Sequence, residues 1–176
     1  MSITVDTIKE LREMTSCGVI ECKKALEEAQ GDINEAKKIL QKRGLELAAK
    51  KSGRVAKEGR IEFYIHQGAK IGVMVEINCE TDFVAQNQDF RKFAKDVAMH
   101  IAATDPKYVK REDIPENILA AQEDPETFIK EQCLLEQPFV KDPSKTIQGY
   151  ASELIASIGE NIFINRFVRY KVNEAR

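Results

Sequence analysis

Ile61-Glu62-Phe63-Tyr64-Ile65, a Gln67-Gly68 turn, and Ile71-Gly72-Val73-Met74-Val75-Glu76-Ile77-Asn78-Cys79 form the stretch that decides the fold. Apolar side chains recur at every second residue in both runs, the period at which a pleated strand presents one face, and a turn dipeptide separates them. The pattern predicts an antiparallel β-hairpin. Ile61, Phe63 and Ile65 form the stripe of its first strand, and Ile71, Val73, Val75, Ile77 and Cys79 that of its second. Gly72 and Met74, with Tyr64, are expected on the other side, which is then only moderately polar and suited to meeting a partner.

The hairpin runs into Thr81-Asp82-Phe83-Val84, an acid beside a bare aromatic, read as a loop. Two readings stand. An Asp ahead of a helix is commonly an N-cap and a Phe is commonly core. Alternatively the pair serves contact with another molecule, because Asn87 can cap the next helix and its apolar stripe already supplies core contacts. That helix, 87–103, carries Phe90, Phe93, Ala94, Val97, Ala98 and Ile101 on one face, suited to packing on the sheet.

Upstream, the period is helical. Asp6, Thr15 and Asp32 are read as start signals of three short helices, Asp32 with Glu35 resembling a capping box, and Gly31 and Gly44 as stops. Ile8 and Leu11, then Val19, Cys22, Leu26 and Ala29, then Ile33, Ala36, Ile39 and Leu40 are the expected inward positions. The expected organisation is a three-helix, ubiquitin-associated-like bundle over 1–45, a basic linker over 46–59, helical at its start, and an α+β core over 60–176. In that core, short helical pieces fill 104–124, a helix starts at Pro125, another spans 145–158, and Ile162 to Val172 returns as the third strand of an antiparallel sheet. Ile162, Ile164, Val168, Tyr170 and Val172 make its apolar stripe, and helices cover one face of the sheet.

Composition bounds the function. The chain has 176 residues, 43% hydrophobic and 32% charged, and its apolar runs are broken by charge well short of the ~18 residues of a membrane span. A cytoplasmic protein without a membrane role is expected. Cys17, Cys22, Cys79 and Cys133 show no CxxC pairing and no histidine at ligand spacing, which fits free thiols in a reducing compartment, with no metal and no cofactor. The formal charge of −2 argues against nucleic acid as a partner. Residues 1–60 carry 13 basic and 10 acidic side chains, however, against 14 and 19 in the remainder. The cluster Lys50, Lys51, Arg54, Lys57 and Arg60 reads as a solvated connector or, with less support since no aromatics interleave it, as a phosphate-binding patch.

Two function classes compete on the residues alone. Cys79, His66 and Asp82 fall near one hairpin and outline a thiol triad, although Cys79 continues a buried stripe where a small hydrophobe is usual. A helical adaptor is the other.

Four separated motifs carry a family resemblance. They are Leu11-Arg12-Glu13 with Thr15, Gly18, Cys22-Lys23-Lys24-Ala25-Leu26 and Gly31-Asp32; Cys79-Glu80-Thr81-Asp82-Phe83-Val84-Ala85-Gln86-Asn87; Gln137-Pro138-Phe139-Val140 with Lys145-Thr146; and Ile158-Gly159-Glu160-Asn161-Ile162 with Arg166-Phe167. In this order they resemble elongation factor Ts, a family of nucleotide exchange factors without covalent catalysis. The resemblance implies a partner, elongation factor Tu, met both GDP-bound and nucleotide-free. It assigns Thr81, Asp82, Phe83 and Val84 to the contact that dislodges Mg²⁺, and Arg12, Val19 and Ile20 to a second contact from the helical module. Of these last, Val19 also fits the bundle stripe, while Ile20, about 100° further round, is the better exposed contact. The chain is similar to short members of the family, with a single strand-rich core, no extended helical hairpin, and an abbreviated stretch from Pro115 to Gln132. In such members a homodimer through the sheet face, giving a two-plus-two complex, is expected.

Overall fold

The computed structural model describes residues 3–15 and 17–174. Its architecture is α+β. Strands β1 (Glu58–Ile65), β2 (Ile71–Cys79) and β5 (Ile162–Lys171) form an antiparallel sheet in the order β1-β2-β5. Helix α5 (Gln88–Thr104) lies across one face of it, and Asn87 caps that helix, its Oδ1 accepting from Asp89 N–H and Phe90 N–H. Val73, Val75, Ile77 and Cys79 of β2 are buried with Phe90, Phe93, Val97 and Ile101 of α5 in the main core.

The hairpin forms as expected, but its two apolar stripes lie on opposite faces. Ile65 pairs with Gly72, so six residues lie between the paired ends, and odd-numbered positions of β1 stand opposite even-numbered positions of β2. Loop length sets register, and a one-residue difference exchanges the faces of a strand. Glu62 and Tyr64 therefore share the core side with Val75 and Val73, while Phe63 joins Met74 outside. Ile61, Phe63 and Ile65 are 60%, 67% and 58% exposed.

The third strand differs from expectation for a related reason. A β-bulge interrupts its register, with Glu76 opposite Arg166 but Ile77 opposite Ile164. The extra residue, Asn165, inverts the alternation. Ile162 and Ile164 enter the core, whereas Val168 and Tyr170 turn outward, joining Ile61, Phe63, Ile65 and Met74 on the uncovered face.

The N-terminal helices are α1 (Val5–Thr15), α2 (Val19–Glu28) and α3 (Ile33–Lys51), around a core of Leu11, Cys17, Cys22, Ala25, Leu26, Ala36 and Leu40. Their caps depart in part from the expected ones. Thr4 Oγ1 accepts from Thr7 N–H at the start of α1, while Asp6 lies within the first turn. Thr15 closes α1, donating its hydroxyl to Leu11 O, and Gly18 precedes α2 without a side-chain cap. Asp32 caps α3 through Asn34 N–H and Glu35 N–H as expected. Gly44 does not end that helix. It packs against α8 (Ile147–Ile158), where a Cβ would lie 3.4 Å from Ser152 O, and the helix continues to Lys51. Ala48 reaches the main core, and the Lys51 ammonium donates to Gly159 O. The first part of the basic segment is therefore helix, docked along α8.

Between α5 and α8 the chain forms α6 (Glu116–Ala120), α7 (Pro125–Gln132) with Pro125 in its first turn and Asp124 as cap, and a short ribbon of β3 (Pro138–Phe139) and β4 (Asp142–Thr146). His100 of α5 fixes this ribbon. Its Nε2 lies 2.9 Å from Gln137 Oε1, an acceptor, and its Nδ1 accepts from Val140 N–H at 3.3 Å. Both contacts require the neutral Nε2–H tautomer. Burial, the dominant influence, pulls its pKa below the usual 6.5, with the Gln137 bond opposing.

A group whose neutral form is favoured by folding contributes fully above its unfolded pKa and loses that contribution as pH falls towards its lower native value. Stability to urea is expected to decline below about pH 6.5, and the decline is smaller in His100→Gln, whose amide reproduces one donor and one acceptor. Identical acid slopes in the two proteins contradict this role for His100.

Candidate partner-binding site

The end of β2 delivers the candidate site. Cys79 is the last core residue of the strand, and its Sγ reaches Thr81 O at 3.1 Å. Thr81, extended, then caps a one-turn helix, α4 (Asp82–Gln86), its hydroxyl oxygen accepting from Val84 N–H at 3.4 Å. The expected loop is thus a helical turn, and Thr81 rather than Asp82 is its cap. Val84 and Ala85 are buried in the main core and root the turn. Asp82 and Phe83 point away from it. Phe83 is 82% exposed, a large apolar side chain left mostly to solvent.

The second group of candidate residues lies on the helical module. Arg12 sits exposed in the last turn of α1. Val19 and Ile20 open α2 and are 52% and 69% exposed. Of the expected bundle stripe, α2 buries Cys22 and Leu26, joined by Ala25, while Val19 stays outside. Both apolar side chains are therefore free for contact. Arg12 lines a cleft of ≈ 420 Å³ together with Lys9, Glu13, Asp89 and Ser157, so it faces the first turn of α5, the helix that follows the Phe83 turn.

Residues of the thiol-triad reading do not come together. Cys79 stands opposite Glu58 at one end of the hairpin, while His66 lies beyond the Ile65–Gly72 pair at the other. Seven strand steps at ~3.4 Å separate those ends by roughly 24 Å. His66 instead contacts Tyr64 Oη at 3.2 Å. Burial, with a smaller push from the Glu160 charge, raises the Cys79 thiol to about 11. A thiol held protonated is a poor nucleophile. Among the described residues no cluster of His, Cys, Asp and Glu suits a metal ion, and no helix is long and apolar enough to cross a membrane.

One part of the site was not visible as such in the sequence. Glu160 and Asn161, in the turn between α8 and β5, bind the residues that lead into α4. Their only signal was membership of the Ile158–Ile162 motif.

Comparison with known proteins agrees along the chain. The family model described as "Elongation factor TS" matches residues 4–127 and 124–174. Relatives named elongation factor Ts include one from Acetivibrio thermocellus, 52% identical over 195 positions covering 98% of this chain and 91% of the relative. That of Carboxydothermus hydrogenoformans is 49% identical, covering 98% and 90%. That of Thermodesulfovibrio yellowstonii is 47% identical over 198 positions, covering 100% and 99%. These alignments are longer than the 176 residues of the chain, so the relatives contain segments that this chain lacks. The two matched stretches meet at 124–127, at the start of α7, inside the region read as abbreviated.

All four cysteines are buried and free. Iodoacetamide at pH 8 is expected to modify the native protein slowly at every thiol and rapidly only after unfolding, followed by mass spectrometry. One fast-reacting thiol, at Cys79 above all, contradicts this description of the site.

Proposed function

The chain belongs to the elongation factor Ts family, and from that membership we propose that it binds GDP-loaded elongation factor Tu, dislodges Mg²⁺ and promotes GDP release so that GTP can enter. The observation that carries the reading is Phe83, a nearly fully exposed aromatic on a turn whose other side is anchored in the core. A GTP-binding protein holds its nucleotide through phosphate contacts and a bridging Mg²⁺, and release is slow until that cluster loosens. Phe83 supplies buried contact area as the anchor. Asp82, exposed beside it, places a carboxylate that competes with the partner's own polar arrangement near the metal. Thr81 and Val84 hold the turn in register from below. Arg12, Val19 and Ile20 make the second contact, from the helical module. No covalent step is involved.

Acceleration requires that the factor bind the nucleotide-free partner better than the GDP-bound one, and linkage makes the nucleotide weaken the factor by the same ratio. Each tenfold of rate corresponds to about 1.4 kcal/mol, so burial of one Phe accounts for roughly ten- to a hundredfold.

The uncovered sheet face fits a second copy of the chain. Ile61, Phe63, Ile65, Met74, Val168 and Tyr170 are exposed between 39% and 67%. Large apolar side chains clustered on one uncovered sheet face mark an interaction surface rather than a scatter of single exposed residues. A homodimer through this face presents two Phe83 turns and binds two partner molecules.

Three measurements test the reading. Stopped-flow release of labelled GDP from elongation factor Tu is expected to fall by at least about tenfold with Phe83→Ala; an unchanged rate removes Phe83 from the mechanism. Arg12→Ala is expected to weaken complex formation, and affinity equal to wild type rejects that contact. By sedimentation, the protein is expected at twice its 19.9 kDa chain mass and Phe63→Glu at that mass alone; a wild-type monomer at all concentrations contradicts the dimer.

A further inference from the structure

The root of the Phe83 turn is held by a residue about eighty positions further along the chain, in the turn that enters β5 beside the end of β2. The Glu160 carboxylate accepts three hydrogen bonds from the two residues joining β2 to α4. Its Oε2 accepts from Glu80 N–H at 3.1 Å and Thr81 N–H at 3.0 Å, and its Oε1 accepts from the Thr81 hydroxyl at 2.7 Å. Glu80 reciprocates, its Oε1 accepting from Asn161 N–H at 2.6 Å. Because the Thr81 hydroxyl spends its proton on Glu160, its lone pairs are left to cap Val84 N–H, the bond that starts α4. Glu160 thus orients the cap as well as the strand end.

The turn that carries Glu160, residues 159–161, is gripped on its other side by the segment arriving from the helical module. Lys51 donates to Gly159 O, and Asn161 Nδ2 donates to Arg54 O at 2.8 Å and Ser52 O at 3.4 Å. The Arg54 guanidinium lies 3.6 Å from the Glu80 carboxylate. Residues 159–161 are therefore the place where the end of α3 and the base of the Phe83 turn are joined.

We propose that Glu160 is a positioning residue for nucleotide exchange: it holds the Asp82–Phe83 turn ordered and at a fixed attitude to the module that carries Arg12, Val19 and Ile20. This rests on the reading of Thr81–Val84 as the exchange contact. Charge-assisted bonds to a carboxylate are short and strong, and a contact that arrives ordered spends none of its binding free energy on ordering. Removing the carboxylate leaves two backbone N–H groups and the cap hydroxyl without their acceptor, while Val84 and Ala85 still pack in the core.

The test is GDP release from elongation factor Tu measured over a range of factor concentrations, for wild type, Glu160→Ala, Glu160→Gln and Phe83→Ala. Glu160→Ala is expected to lower the maximal rate about tenfold, with the half-saturating concentration within about twofold of wild type, since the module contact remains. Glu160→Gln, whose amide oxygen still accepts from the two backbone N–H groups, is expected to recover most of the rate. Hydrogen exchange in Glu160→Ala is expected to quicken at residues 80–86 and remain unchanged in β2 and α5. If Phe83→Ala slows release and Glu160→Ala does not, the positioning role is overturned and the Phe83 contact stands. A Glu160→Ala protein with an unchanged maximal rate and a raised half-saturating concentration, or with protection lost throughout the core, also overturns it. If Phe83→Ala releases GDP as fast as wild type, the reading of the turn itself fails.

Discussion

Burial of one stripe of β2 against α5 is the interaction on which the rest of this structure depends. Val73, Val75, Ile77 and Cys79 meet Phe90, Phe93, Val97 and Ile101, and full burial of each Val, Ile or Phe side chain among them stabilises by roughly 1.5–3 kcal/mol. Because β2 is the central strand, fixing its inward face fixes the outward face of both neighbours. The hairpin loop and the Asn165 bulge then decide which residues of β1 and β5 go where. Because Cys79 is held at the end of that stripe, the chain leaves the sheet at a defined point, and the turn bearing Phe83 begins there.

The helical module is tied to the same frame. Had α3 stopped at Gly44, a free connector would separate the module from the core. Instead the small Gly44 lets α3 approach the backbone of α8, and the helix runs on until Ala48 is in the main core and Lys51 meets Gly159. Arg12 consequently faces Asp89 across one cleft, a few residues beyond the Phe83 turn. Under the proposed function, two contacts held on one frame grip the partner as a unit, so strain delivered at one is not dissipated by movement at the other.

Much of this was legible in the residues. The period-two runs identified the hairpin, the helical stripe of 87–103 identified its cover, and Asn87, Asp32 and Pro125 marked helix starts because their side-chain chemistry acts within three residues of themselves. What failed did so at longer range. Ile61, Phe63 and Ile65 look like core in sequence, and only the number of residues in the loop places them outside. Ile162, Ile164, Val168 and Tyr170 share even-numbered positions interrupted by Arg166, and it is a bulge, set by pairing with β2, that divides them between the two faces. Gly44 reads as a stop because glycine is a poor helix former, but tertiary contact with Ser152 overrides that preference. Of the candidate site, the exposure of Phe83 and Ile20 followed from pattern and family resemblance. The Glu160 clamp did not, since its partners lie about eighty residues away and no local rule connects them.

The central claim is energetic, that a rigidly presented aromatic and carboxylate favour the empty state of a nucleotide-binding partner. Isothermal titration of this protein into elongation factor Tu, once nucleotide-free and once saturated with GDP and Mg²⁺, measures it most directly. The account predicts markedly tighter binding to the empty form, and equal affinity for the two forms would contradict it.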